Sequence, residues 1–203
     1  MAEGAVWFEK SAETPADDAR LRHEGWVLGL AAHPGVVTLA GRMASPVGRT
    51  VVRTRAVTGR PLATMDEVKA SEVAGLGTVV ATTVADLHDA GVTHGRLSAD
   101  HILVDTAGRP VLCGFSGATA APCSPEPGVT ADVLALARTL AGLLGAGDQS
   151  EVLAHVLEGV GSGRHRPSAR RLAERLGDRR FGARLPSRAH PSYCGDPARY
   201  ARW

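Results

Sequence analysis

Alternation of apolar and polar positions predicts a small β-sheet near the start of the chain. Short apolar runs at residues 5–10, 36–41 and 50–57 are bounded by polar, proline or glycine positions, which is typical of β-strands. The Ser-Pro-Val-Gly sequence at 45–48 predicts a turn between the second and third runs. We therefore expect a sheet of about three strands in this region.

Three- and four-residue spacing of apolar side chains predicts helices in most of the remaining chain. Residues 11–18 are polar and contain Pro15, so we expect a loop before the first helix. The predicted helices cover residues 20–32, 62–69, 71–90, 130–144, 151–160 and 166–176. Together with the strands, they predict an α+β fold in which a minimal sheet and one helix precede a mainly helical part.

Two more strands are predicted within the helical part. Residues 102–104 and 111–113 are apolar and flank the turn-forming Asp-Thr-Ala-Gly sequence at 105–108, which is typical of an antiparallel hairpin. Residues 117–128 are rich in proline and glycine and therefore predict irregular structure.

Length, charge and cysteine spacing limit the classes of protein to which the chain can belong. The chain has 203 residues, of which 44% are apolar, and this is enough for one core and a minor second one. A net charge of +2 does not indicate nucleic-acid binding. The three cysteines, Cys113, Cys123 and Cys194, lack paired spacing, and no run is typical of a membrane span or a signal peptide. We therefore expect a cytoplasmic protein without a membrane span.

The candidate functional residues lie after the predicted 71–90 helix and after the predicted 111–113 strand. After Gly91 the chain reads His94-Gly-Arg-Leu-Ser-Ala-Asp-His101, and after the strand it reads Gly114-Phe-Ser116. This order resembles the catalytic loop and metal-binding strand of protein kinases, whose signatures are H-R-D-L-x-x-x-N and D-F-G. The resemblance implies a two-lobed, protein kinase-like fold, similar to a bacterial serine/threonine kinase domain with a truncated small lobe.

The residues that would transfer a phosphoryl group are replaced. In the family, the loop aspartate accepts a proton, and the asparagine and the second aspartate hold magnesium. Here those positions are Arg96, His101 and Gly114. Arginine stays protonated, glycine offers no ligand atom, and imidazole is a poor magnesium ligand. We therefore expect a catalytically impaired protein, a pseudokinase, with no catalytic residue and no metal site.

The start of the chain carries a second part of the resemblance. Lys10 and Glu24 stand where kinases place the lysine and glutamate that pair beside the nucleotide, and His33-Pro34 follows as in the family. The family's glycine-rich loop is not expected before Lys10. Phe8 either fills the space of an adenine or belongs to the core of the sheet. The resemblance therefore implies that no cofactor is required and that ATP, if bound, binds weakly.

The resemblance also implies structural roles for residues outside the loop. A column of side chains that joins the two lobes would contain Leu28, Leu39, His94 and Phe115, with Asp132 beneath it. Glu126 and Arg166 would form an ion pair. For each of these residues alone, an ordinary buried or hydrogen-bonded position is the better interpretation, and only their joint order and spacing indicate the family.

The resemblance implies that the chain has three segments, and it leaves two hypotheses about function. Residues 1–58 would form the truncated small lobe, 59–177 the helical lobe, and 178–203 a basic, disordered tail. We expect a binding, scaffold or regulatory module whose partner is a protein, such as an active kinase or its substrate; nucleic-acid binding by the tail is a minor alternative. The other hypothesis is an atypical ATP-dependent kinase or other nucleotide-using transferase, in which Asp100 or Asp105 replaces a missing carboxylate.

A zinc site is the least favoured alternative. His94, His101, Cys113 and Cys123 could converge, but they lack the close spacing that is typical of zinc ligands.

Overall fold

A computed structural model of the chain describes residues 6–66, 68–121, 126–161 and 168–181. Within these ranges the fold is α+β, with five α-helices and three small antiparallel sheets. The predicted fold class is confirmed at this level.

The first sheet has three strands, as predicted. Strands β1 (Trp7–Ser11) and β2 (Leu39–Ala44) both pair antiparallel with β3 (Thr50–Arg55), which lies between them. Strand β2 begins later than predicted, and its register with β3 shifts between Leu39 and Gly41.

The helix between β1 and β2 begins earlier than predicted. Helix α1 covers Pro15–Leu30, so the loop predicted at 11–18 is wrong for its second half. The Thr14 hydroxyl accepts a hydrogen bond from the Asp17 amide at 3.1 Å, and Asp17 accepts one from the Thr14 amide at 3.2 Å. This capping box satisfies amides at the start of the helix, and proline is well suited to the first helical position. Pro15 therefore starts the helix rather than preventing it.

Helix α2 (Ala70–Asp89) lies at the centre of the helical part. It packs against α3 (Glu126–Ala141), α4 (Asp148–Gly161) and α5 (Ala169–Leu176). A Cβ at Gly77 would lie 2.7 Å from Leu140 and 2.8 Å from Leu176, so glycine lets these helices approach closely. Helix α3 begins four residues before the predicted start at Thr130 and ends before the predicted stop at Gly145.

The two other sheets surround the loop that follows α2. Strands β4 (Gly59–Pro61), β6 (Ile102–Asp105) and β7 (Pro110–Leu112) form one sheet, which confirms the predicted hairpin. Strands β5 (Val92–Thr93) and β8 (Thr119–Ala120) form the other, and β8 lies within the 117–128 segment, which was predicted to be irregular.

The helix predicted at 62–69 is wrong. Only Leu62–Thr64 form a single 3₁₀ turn, and Val68 is extended and bridges to Leu144. The buried apolar residues of the sheet, α1 and the helices belong to one contiguous core. No helix in the described ranges is both long enough and apolar enough to cross a membrane.

Candidate functional site

The loop at 94–101 is fixed at its start by a buried carboxylate. Gly91 has a φ of 80°, which ends the helical region, and the chain then forms β5. Asp132, on α3, accepts hydrogen bonds from the backbone amides of His94 at 2.7 Å and Gly95 at 2.8 Å. Its side chain also lies 3.0 Å from Nε2 of His88. Asp132 is 1% exposed, so these donors satisfy a carboxylate that water scarcely reaches.

His94 connects the loop to the residues after β7. It is 1% exposed, its Nε2 donates to the Cys113 carbonyl at 2.9 Å, and its ring centroid lies 4.7 Å from that of Phe115. Burial lowers the pKa of His94 below its ordinary value, so the ring is neutral at neutral pH. We call His88, His94, Phe115 and Asp132 the anchor.

Arg96 lies on the solvent side of the same loop. Its side chain is exposed, and its aliphatic part lies over Gly117, where a Cβ would come within 2.8 Å of the arginine Cδ. Nη1 of the guanidinium is 3.4 Å from Oγ of Ser116. We call Arg96, His101, Gly114 and Ser116 the rim.

His101 occupies the space next to Gly114. Its Nδ1 donates to the Arg96 carbonyl at 2.7 Å, and Oγ of Ser98 is 3.2 Å from the same nitrogen. Gly114 has a φ of 79°, and a Cβ at this position would overlap Cδ2 of His101 and lie 2.7 Å from its Nε2. A side chain at position 114 would therefore meet both an unfavourable backbone conformation and the imidazole.

Lys10 and Glu24 form an ion pair beside this segment. Nζ of Lys10 is 2.6 Å from Oε1 of Glu24, which is 4% exposed. Burial raises the pKa of the Cys113 thiol, and the nearby Lys10 ammonium opposes that rise. The Glu24 carboxylate adds to the rise in the Cys113 pKa, so the two charges of the pair act on the thiol in opposite directions.

The remaining residues of the predicted column lie in or next to the core. Leu28 and Phe115 are fully buried, whereas Leu39 is partly buried and packs at the margin of the core. Glu126 is the exposed first residue of α3, and Arg166, its predicted partner, lies outside the described residues.

Phe8 is 56% exposed, so its assignment to the core of the sheet is wrong. Because side chains alternate along β1, Phe8 lies on the same face of the strand as Lys10.

The two carboxylates considered as catalytic replacements differ in environment. Asp100 is exposed on a single 3₁₀ turn, Ala99–His101. Asp105 instead accepts hydrogen bonds from the amides of Ala107 and Arg109, each at 2.8 Å, and pairs with the Arg109 guanidinium at 2.7 Å. Burial raises the pKa of Asp105, but these hydrogen bonds outweigh it and lower the pKa overall. Asp105 therefore stabilises the β6–β7 turn.

Two histidines in the site were missed from the sequence. His88 could have been noticed, because a histidine in the last turn of a helix is well placed to interact with nearby acceptors. His23 gave no signal: its Nε2 lies 2.7 Å from the carbonyl of Ala118, a contact between residues far apart in the chain. Across 6–66, 68–121, 126–161 and 168–181, no three His, Cys, Asp or Glu side chains are arranged to hold a metal ion.

A groove of about 660 Å³ lies elsewhere, between the β6–β7 turn and α2. Its lining includes Arg60, Met65, Leu76 and Val104, and none of the rim residues. The groove and the rim are therefore separate features.

No family model matches the chain, and no curated protein is significantly similar to it. The resemblance to protein kinases therefore rests on the sequence motifs alone.

Proposed function

We propose that this chain is a kinase-like protein that does not transfer phosphoryl groups and instead acts as a binding, scaffold or regulatory module. One observation carries the proposal. Asp132 accepts hydrogen bonds from the two amides that open the 94–101 loop, while Arg96 occupies the position of the family's catalytic base and His101 crowds the position of its metal-binding aspartate. The supporting geometry is thus kept where the chemical groups are replaced.

The replaced groups explain why ordinary transfer is not expected. A protein kinase needs a carboxylate to accept the substrate proton and oxygen ligands to hold magnesium against the phosphates. The Arg96 guanidinium cannot accept a proton, and Gly114 supplies no oxygen. His101 uses its Nδ1 on the Arg96 carbonyl, which leaves one imidazole nitrogen where magnesium prefers oxygen.

The nearby carboxylates are engaged in other contacts. Glu24 pairs with Lys10, and Asp132 is surrounded by three donors. Asp105 is held in its turn. Asp100 is exposed and is therefore the carboxylate through which an atypical transferase would act, which keeps that alternative testable.

The Lys10–Glu24 pair supports a role that depends on the conformation of the protein and not on catalysis. It joins β1 to α1, and His23 joins α1 to Ala118 in the segment after Phe115. The first sheet, α1 and the loop are therefore joined by these two contacts. We propose that a protein partner, such as an active kinase or its substrate, recognises this arrangement.

A phosphotransfer assay with labelled ATP and either magnesium or manganese tests the proposal on the full chain. We expect no transfer to the chain itself or to generic protein substrates above the background without protein. Thermal melting with ATP should show no stabilisation that depends on the metal. Transfer that Asp100→Ala abolishes and Lys69→Ala preserves would instead establish the atypical enzyme.

A further inference from the structure

Strand β1 forms one edge of the first sheet, and three consecutive apolar side chains are exposed there. Val6, Trp7 and Phe8 are 71%, 45% and 56% exposed. The strand packs against β3 and α1, and its register with β3 runs without a bulge from Trp7 to Ser11. Proteins usually protect an edge strand with charges, proline or a bulge, because an open edge readily pairs with another strand. Residues 6–8 carry none of these protections.

The backbone of β1 has hydrogen-bonding groups on the side that faces away from β3, which we call the open side. Val6 and Ala12, which flank the strand, form backbone hydrogen bonds of 2.9 and 3.1 Å toward β3. Because these groups alternate in direction along a strand, the backbone groups of Trp7, Glu9 and Ser11 point to the open side. They form no hydrogen bond with any residue that the structure describes.

The other edge of the same sheet is protected. The register of strand β2 with β3 shifts between Leu39 and Gly41, and such irregularities disfavour pairing at an edge. Arg42 adds a charge in the middle of β2. The two edges therefore differ, and β1 is the edge that is suited to accept another strand.

A second copy of β1 is complementary to this edge in one antiparallel register, with Phe8 opposite Phe8 of the second copy. Each Trp7 then lies opposite a Glu9, and their backbones exchange hydrogen bonds across the edge. Each Val6 lies opposite a Lys10, so no like charges face each other. The two phenylalanines form a non-hydrogen-bonded pair, in which opposite side chains approach most closely.

Other registers of the same pairing are less favourable. Centring it on Glu9 would place two carboxylates directly opposite each other, and centring it on Lys10 would do the same with two ammonium groups. Centring it on Trp7 would engage fewer of the described residues.

We propose that the chain forms a dimer in which the β1 strands of two copies pair antiparallel about a twofold axis and join their first sheets into one. The assembly stops at two copies, because the twofold pairing uses the open side of both strands. Stable interfaces bury at least about 1,200 Å², and a short strand supplies less, so we expect a dissociation constant on the order of 10 μM. The proposal goes beyond the proposed function and does not depend on it, since it concerns β1 and not the 94–101 loop.

Sedimentation velocity of the full chain between about 1 and 200 μM tests the proposal. We expect monomer at the lowest concentration and dimer at the highest. Phe8→Lys would replace the pair of rings with two opposed ammonium groups and should weaken association at least about tenfold. Met43→Lys is the matched control, because it makes the same kind of change at a residue that is 41% exposed on β2. It should leave association unchanged.

A second pair of variants isolates the backbone contribution. Glu9→Pro and Glu9→Ala both remove the carboxylate that pairs with Arg53, but only proline also removes the amide on the open side. Since this amide does not donate to β3, the pairing within each copy should remain. We expect Glu9→Pro to abolish the dimer and Glu9→Ala to retain it. Thermal melting at low concentration checks that each variant is folded.

Cross-linking tests the register. In a background in which Cys113, Cys123 and Cys194 are replaced by serine, Phe8→Cys should form an intermolecular disulfide under mild oxidation. A non-hydrogen-bonded pair brings opposite Cα atoms to about 4.5 Å, which a disulfide can span. Met43→Cys should not cross-link.

Four results would each overturn the proposal. They are a chain that stays monomeric throughout, assembly beyond two copies, a dimer that neither Phe8→Lys nor Glu9→Pro weakens, and cross-linking that is as efficient through Met43→Cys as through Phe8→Cys.

Discussion

The anchor and the rim belong to the same stretch of chain, but their side chains face different environments. His94, Phe115 and Asp132 are buried and make specific contacts, whereas Arg96 is exposed. Replacing an anchor residue leaves a buried donor, acceptor or cavity. Replacing Arg96 mainly changes what the surface presents. The difference teaches that the residues that fix the conformation of this loop are separate from those that set the charge it presents to solvent.

The largest expected effect comes from Asp132→Ala. The amides of His94 and Gly95 would lose this acceptor, and His88 would lose its contact with the carboxylate. We expect the free energy of unfolding to fall by about 4 kcal/mol, since three hydrogen bonds to a buried carboxylate are lost. Urea denaturation measures this. Arg96→Ala is the rim control and should change the same quantity by less than about 0.5 kcal/mol; equal effects would break the distinction between anchor and rim.

Gly114→Ala is the one rim substitution that should be strongly destabilising. The positive φ and the overlap with His101 together should lower the free energy of unfolding by about 3 kcal/mol.

A double-mutant cycle separates the two causes. In a His101→Ala background the overlap disappears and the φ cost remains, so we expect a coupling of about 1 kcal/mol. Additive effects would show that the imidazole does not restrict position 114. For the same reason, introducing an aspartate at 114 alone should fail to create a metal site.

Lys10→Ala should have an intermediate effect. It leaves the buried carboxylate of Glu24 without its partner, although the exposure of the lysine side chain reduces the loss. We expect the free energy of unfolding to fall by about 2 kcal/mol, measured by urea denaturation. Lys69→Ala, which removes the other lysine from an exposed position, should cause no comparable loss. Recovery of stability in Lys10→Ala/Glu24→Gln would attribute the loss to the unpaired charge.

The smallest expected effect is the dependence of stability on pH through His94. Its pKa is lower in the folded chain than the ordinary histidine value of 6.5, so the unfolded chain binds more protons than the folded chain as the pH falls below 6.5. Stability should therefore be retained above pH 6.5 and decline below it, by at most about 1.4 kcal/mol per pH unit from this residue. Urea denaturation between pH 5 and 7 measures the slope. His94→Gln, which retains a donor for the Cys113 carbonyl, should reduce it; an unchanged slope would place its origin elsewhere.

Elements with clear local signals were predicted well. Helix α2 begins and ends within one residue of its predicted bounds, and the β6–β7 hairpin was found from its turn and apolar runs. The starts of α1 and α3 were missed because prolines were taken as loop signals, although proline is well tolerated in the first turn of a helix. The pair β5–β8 is too short for any alternation to be visible.

The contacts in the site also differ in whether the sequence could predict them. Its motif order placed His94, Phe115 and Asp132 together, and the structure brings them together. The overlap between His101 and position 114, and the contact between His23 and Ala118, depend on tertiary packing that no local pattern encodes.

The pairing of β5 with β8 has a consequence for local opening. The Ala121 amide donates a hydrogen bond to the Gly91 carbonyl at 2.9 Å. With the β5–β8 pairing, this bond joins the two ends of residues 91–121, which contain both the 94–101 loop and the β6–β7 hairpin. To expose the amides of His94 and Gly95 to solvent, the β5–β8 pairing and the hydrogen bonds to Asp132 would have to break together. Amide hydrogen exchange at these positions and at Ala121 should therefore proceed at a common rate, as one cooperative unit.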